Sequence, residues 1–240
     1  MSLQIIKTDD GSSTIYSEQF QDHYHSTKGA LQEAQHIFIE NGLQYIVGNK
    51  LTVNILEVGF GTGLNALCSL AYTFDNNIKI NYIGIEPSKL DFEIVKQLNF
   101  PDFFKIENIE YMFHQMHLLP LNYPHYISDN FILNVIDAPI QEIQLQNSVF
   151  DIVFYDPFKP STHQELWTKD VFCKIFHSLR VNGVLMTYST SGMVRRALED
   201  AGFSTEKIPG PLGKREITRA LKIIEIAECQ KNCGGCSHNH

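Results

Sequence analysis

The 240-residue chain has no apolar run near the roughly 18 residues of a membrane span. Its N-terminus has no signal-peptide core. Membrane insertion and secretion are therefore not expected, and the chain is expected in the cytoplasm, where thiols stay reduced. Basic residues are scarce: 19 Lys and Arg against 27 Asp and Glu leave a net charge of −8. That balance argues against a general nucleic-acid binder, although local positive surface beside a cleft can still serve one RNA. There is no internal repeat, no domain linker and no second glycine-rich loop. The length suits one well-buried domain and falls short of two large ones. Residues 1–50 are expected to form a hairpin and a helix integral to that domain, 51–227 its body, and 228–240 a Cys/His-rich tail.

What is present is a loop. Ile55 to Val58 reads as a buried strand, followed by Gly59, Gly61 and Gly63 at alternate positions and then an apolar-periodic segment from Leu64 that reads as a helix. Glycines allow a sharp turn with a ligand lying on bare backbone, and a helix start offers free N–H groups. The spacing is G-x-G-x-G rather than the G-x-G-x-x-G of dinucleotide sites. Glu57, two residues before the first glycine, suits a cationic ligand better than a pyrophosphate. S-adenosylmethionine (SAM) is such a ligand; an NAD-type cofactor is the alternative the loop leaves open. Phe60 and Asn65 flank the glycines and join the candidate cofactor set.

Two further apolar runs end in carboxylates. Lys79 to Glu86 reads as the next strand, with Glu86 at its tip able to accept from both ribose hydroxyls, a geometry that serves NAD and SAM equally. Phe131 to Asp137 repeats the pattern; Asp137 is either an acceptor for an adenine amino group or an N-cap. The fourth strand, from Phe150, ends in Asp156-Pro157-Phe158 at the edge where ligands bind in open α/β sheets. Asp156 would sit beside the methyl group, and Phe158 can stack on a planar group. Methyl transfer from a sulfonium needs no acid for the leaving group. It needs an aligned nucleophile with a free lone pair. A primary amine is mostly protonated at neutral pH, and a carboxylate that accepts its N–H groups orients it and stabilises the charge developing on nitrogen. A turn-forming Asp-Pro is the bland alternative.

Several motifs occur in order: Tyr155-Asp156-Pro157-Phe158-Lys159-Pro160, Glu165-Leu166-Trp167-Thr168, Thr187 to Leu198, Ala201-Gly202-Phe203 and Gly213-Lys214-Arg215-Glu216-Ile217, preceded by Tyr24-His25-Ser26 and Gly29 to Ala34. Together they resemble the methyltransferase domain of the MnmC/MnmD family, over nearly the whole chain except the last dozen residues. That family usually has Asp-Gly/Ala-Phe where this chain has Asp156-Pro157-Phe158. The resemblance implies a Rossmann-like class I SAM-dependent methyltransferase. The expected α/β fold is a mostly parallel seven-stranded sheet, helices on both faces and an antiparallel C-terminal strand. It implies N-methylation of the 5-aminomethyl group of a (2-thio)uridine at the tRNA wobble position. Asp156 would then be catalytic, with Glu57, Glu86 and Asp137 around SAM and Tyr24 and Ser26 near the substrate mouth. Lys159, Trp167, Lys214 and Arg215 complete the expected substrate set, the two last as RNA contacts. A separate oxidoreductase or another enzyme would supply the aminomethyl group.

Elsewhere, Ser26 or Thr27 is expected to cap a helix with Leu31, Ala34, Phe38 and Tyr45 on one face. His114, His117 and His125 show no metal spacing and read as surface or packing residues. Ser191 or Thr190 should start a helix, and 203–208 with 216–226 an antiparallel hairpin. Cys229, Cys233, Cys236 and His238 form a candidate metal site in the tail, against a tail that is disordered or reactive. The C-x₃-C-x₂-C spacing also occurs in radical-SAM enzymes, but not trailing a finished sheet. The acidic balance keeps a small-molecule amine as the alternative acceptor, and a non-catalytic binding module as the alternative role.

Overall fold

The computed structural model describes residues 3–223; the candidate tail ligands Cys229, Cys233, Cys236 and His238 lie outside them. At the N-terminus β1 (Leu3–Lys7), β2 (Ser13–Ser17) and β3 (Asp22–His23) make a small antiparallel sheet. It is tied to the rest of the chain by Ser13 Oγ donating to Asn99 Oδ1 at 2.7 Å and by the buried Ile15. The helix that follows starts as α1 (Ala30–Ala34), runs through a π-helical stretch at Gln35–Leu43 and ends as α2 (Gln44–Val47). Ser26 and Thr27 do not cap it, contrary to expectation. The hairpin does so from outside: Ser12 Oγ accepts from Leu31 N at 3.1 Å and Asp10 Oδ2 from Gln32 N at 2.9 Å, satisfying N–H groups that a local cap would otherwise serve. The wider π turns also rotate Tyr45 off the core face. It is 49% exposed and lies under the Arg219 guanidinium, 3.8 Å from the ring centroid.

The remaining elements are β4 (Thr52–Val58), α3 (Leu64–Asp75), β5 (Lys79–Ile85), α4 (Phe92–Val95), α5 (Ile109–Leu118), β6 (His125–Ser128), β7 (Phe131–Ile136), β8 (Phe150–Tyr155), α6 (Lys169–Ser178), β9 (Leu179–Thr187), α7 (Gly192–Asp200), β10 (Ser204–Pro209) and β11 (Glu216–Leu221). The sheet order is β10-β11-β9-β8-β4-β5-β7-β6, eight strands rather than the seven expected. The five central strands are parallel; β6 is antiparallel at one edge, and at the other β11 runs antiparallel to β9 and β10 antiparallel to β11.

The central strands read as continuous apolar runs because both faces are covered. Alternate residues feed opposite cores: Ile55, Ile152 and Phe154 enter the cluster under α3, α5 and the first helix, while Leu56, Val153 and Tyr155 enter the one under α6 and α7. One buried charge interrupts this pattern. Asp151, the second residue of β8, accepts from Lys50 Nζ at 3.0 Å, Arg180 Nη1 at 2.7 Å and Asn54 N at 2.9 Å, which compensates its burial.

Helix α7 starts where the sequence indicates. Ser191 Oγ accepts from Val194 N at 3.2 Å. Ser191→Ala is expected to cost about 1 kcal/mol and to lower Tm by about 2–4 °C, with the m-value unchanged in a urea melt. A Tm within error of the parent would show that the cap is replaced by water.

From β4 the chain moves outward to β5 and β7 on one side and then returns to β8 on the other. The carboxyl ends of β4 and β8 therefore flank the switch point of the sheet, where open α/β sheets form a crevice.

Candidate active site

Gly59 and Asp156 are neighbours across that switch point. Asp156 N donates to Val58 O at 3.0 Å. Gly59 has φ +90°, and a Cβ there would stand 2.7 Å from the Asp156 carbonyl oxygen. Only glycine allows the two strand tips this approach. Next along the loop, the Phe60 ring lies on Gly84 of β5, where a Cβ would come within 2.7 Å of the ring. Two histidines hold Thr62 from either side. His117 Nε2 donates to Thr62 O at 3.1 Å, and His25 Nε2 shares a 2.5 Å hydrogen bond with Thr62 Oγ1. Burial lowers both imidazole pKa values to about 4, so both are neutral at pH 7. His117 thus packs, as expected, and supports the bend from behind.

The bend forms one wall of a cavity of about 640 Å³, a size that suits a nucleoside-like ligand. Gly59, Phe60, Gly61, Asn65, Glu86 and Asp156 line it, as do Tyr24, Ser26, Phe158, Lys159 and Lys214. Glu86 Oε2 accepts from Gly61 N at 2.8 Å and Oε1 from Ser88 N at 2.9 Å; burial raises its pKa and these two bonds oppose the rise.

Glu57 lies beneath the bend, fully buried, and its pKa is well above the carboxylate range because of burial. Asn65, on the first turn of α3, links it to Asp156. Its Nδ2 donates to Glu57 Oε1 at 2.8 Å and to Asp156 Oδ2 at 2.9 Å. Asn65 Oδ1 is buried with no hydrogen-bond partner among the described residues, which suits a donor group of a bound ligand. Asp156 is raised to about 8, first by burial and then by the Glu33 charge, against the Asn65 bond and the Lys214 charge.

Five expected residues are not among those that line the cavity, the first being Glu57, which lies buried beneath the bend. Asp137 and Gly63 are not among the lining residues; Asp137 directly follows β7, where its N–H donates to Asn122 Oδ1 at 3.0 Å, and Gly63 is the left-handed N-cap of α3. Trp167 does not face the cavity. It is 2% exposed, its Nε1 donates to Phe158 O at 2.9 Å and its ring packs edge-on to Tyr155. Burial with a satisfied N–H makes it a support for Phe158 rather than a stacking surface. Arg215 is exposed, outside the lining residues.

Lys214, expected on an RNA surface, is inside the cavity, paired with Glu33. Lys159 pairs with Asp22 at 3.2 Å. Sequence reasoning gave no role to Glu33 or to Phe20. Phe20 packs on Phe158 with centroids 4.6 Å apart, and Tyr24 meets Phe158 edge-on at 5.0 Å. A single Glu in a helix and a single Phe in a turn carry no spacing signal. Among the described residues no group of His, Cys, Asp and Glu is placed to hold a metal, and no helix is long and apolar enough to cross a membrane.

Residues 107–223 match a family described as S-adenosyl-L-methionine-dependent methyltransferase. The tRNA 5-methylaminomethyl-2-thiouridine biosynthesis bifunctional protein MnmC of Leptospira interrogans is 32% identical over 215 residues, 85% of this chain and 33% of that protein. Its namesake in Cupriavidus metallidurans is 31% identical over 225 residues, 90% of this chain and 33% of that protein. The chain thus spans about a third of the length of these relatives. Among solved structures, MNMC2 from Aquifex aeolicus superposes with a TM-score of 0.73 at 25% identity, over 97% of this chain and 75% of that one. Spermidine synthase from Thermotoga maritima, at 0.62 and 15% identity over 95% of this chain and 71% of that one, shares the fold.

Proposed function

The chain belongs to the S-adenosyl-L-methionine-dependent methyltransferases, and from that premise we propose that it methylates the primary amine of a 5-aminomethyl group on the wobble uridine of a tRNA. The observation that carries this reading is the Asp156 carboxyl: it borders the cavity beside the glycine bend and is held by Asn65. The likeness to proteins whose names specify 5-methylaminomethyl-2-thiouridine biosynthesis in tRNA supports the acceptor.

SAM fits the cavity by its donor set. The Gly59–Gly61 backbone, Glu86 and the unpartnered Asn65 Oδ1 offer acceptors and bare backbone to an adenosine bearing an ammonium. When bound, its sulfonium supplies an activated methyl group. The remaining work falls to the chain. The ionised form of Asp156, populated as pH approaches its pKa of about 8, takes a proton from the alkylammonium and passes it to solvent. Returned to the carboxylate, it holds the amine N–H groups and stabilises the positive charge that grows on nitrogen. Phe158 and Tyr24 offer ring faces for the uracil, and Phe20 and Phe158 shield the reaction from water.

On this reading the aminomethyl group is made by another active unit, an oxidoreductase or another enzyme, and the site of action is the cytoplasm. Incubating the protein with methyl-labelled SAM and an anticodon stem-loop RNA carrying 5-aminomethyluridine should place label on the side-chain nitrogen. Label found only in free small amines would favour the small-molecule acceptor instead.

A further inference from the structure

The acceptor end of the cavity carries a second carboxylate. Glu33, on α1, lines the same cavity as Asp156, and its side chain is 13% exposed. The two acids are close enough that the charge of Glu33 is the main electrostatic influence on Asp156 after burial. One Glu33 oxygen, Oε2, accepts from Ser26 N at 3.0 Å. The other, Oε1, is taken by the Lys214 ammonium. That same ammonium lies 4.4 Å from the centroid of the Tyr188 ring, and the Tyr188 hydroxyl is anchored on Pro157 O at 2.8 Å.

A carboxylate, an aromatic face and a second acid nearby make a site for a primary ammonium. In the structure a primary ammonium belonging to the chain occupies it. Lys214 reaches the site from the turn between β10 and β11, where Gly213 has φ +88° and the lysine side chain is 31% exposed. Lys214 stands on a surface turn and can swing its ammonium to solvent, while an incoming ammonium takes its place and keeps the buried Glu33 charge paired.

We propose that Glu33 is the acceptor-recognising carboxylate of this enzyme: it binds the ammonium of the substrate over the Tyr188 face in place of Lys214 Nζ, and so presents it to Asp156. The proposal rests on the amine-methylation reading above and adds a specificity element. Primary ammonium groups are accepted, and neutral or anionic substituents at the same position are refused.

The test is a double-mutant cycle on the aminomethyluridine stem-loop. Glu33→Gln keeps an oxygen for Ser26 N–H and removes the charge. It is expected to raise KM by about 10–100-fold, with kcat within about threefold and calorimetric SAM affinity unchanged. The same rise is expected in a Lys214→Met background. If Glu33→Gln has no effect on KM once Lys214 is gone, Glu33 serves only to tether the turn and the proposal fails. A fall in kcat at constant KM overturns it as well. Should the Gln variant not fold, Glu33→Asp, which keeps the charge, is expected to retain near-parental KM; a KM raised 10-fold or more (the lower bound expected for losing the charge) would again overturn the assignment. A parent enzyme that leaves the amine unmethylated brings down the acceptor reading itself, whereas an active parent with a silent Glu33→Gln brings down only the role of Glu33.

Discussion

Asp156→Asn is expected to lower kcat by about 10²–10⁴-fold, with SAM affinity within about threefold of the parent. The substitution keeps the shape of the side chain and an oxygen facing Asn65 Nδ2, but it can neither take a proton nor balance a cation. Because Asp156 titrates at about 8, kcat/KM of the parent should climb with pH up to that region, and the residual activity of the variant should lack this limb. The reverse pattern, lost SAM binding with turnover retained at saturation, would mean that Asp156 serves the cofactor.

The same group makes a separable prediction about stability. Its pKa in the folded chain is about 8, above the ordinary 3.8. Folding therefore favours the protonated form. This contribution is complete below about pH 4 and is lost as pH rises through 8, because the unfolded chain gives up its proton first. Asp156→Asn removes the dependence. Relative to the parent, the variant should gain nothing at pH 4 and become more stable towards pH 9. The expected gain is on the order of 1–3 kcal/mol. Urea melts at pH 5 and pH 9 measure it, and an equal difference at both would contradict the shift.

Gly59→Ala carries the second large effect. The backbone there has φ +90°, and the new methyl would stand 2.7 Å from Asp156 O and 3.0 Å from Pro157 Cα. The colliding atoms are main chain, so no rotamer relieves the clash; the tips of β4 and β8 must separate. Strain of about 1–3 kcal/mol is expected, together with a loss of SAM affinity of about 100-fold or more, equivalent to about 2.7 kcal/mol. Gly192→Ala is the control, because its Cβ would meet only Arg196 Nη1, at 3.6 Å. Calorimetry on both decides the matter. Parental SAM binding in Gly59→Ala would show that the crevice is not the cofactor site.

Much of this arrangement was legible in one dimension. Each central strand is an apolar run because both of its faces are buried, and each ends in a polar residue because the sheet edge meets the cavity. Glu86 and Asp156 could thus be located from register alone. Trp167 could not. A lone indole near a motif reads equally well as a stacking surface or as core, and only the Phe158 carbonyl that takes its N–H settles which. Ser26 and Thr27 resemble local caps, but the N–H groups of α1 are satisfied by Ser12 and Asp10, which lie in the hairpin.

Lys214 shows the limit most clearly. As a letter in a Lys-Arg pair it suggests phosphate; in three dimensions it lies over Tyr188 against Glu33. The order of residues thus specified the strands, the glycine bend and the carboxylates at the strand ends, because periodicity and backbone freedom are local properties. Which charges face one another across the cavity was settled by the folding of the first helix and the last hairpin over the sheet edge. Partners 181 positions apart leave no local pattern, and their pairing depends on distance and burial.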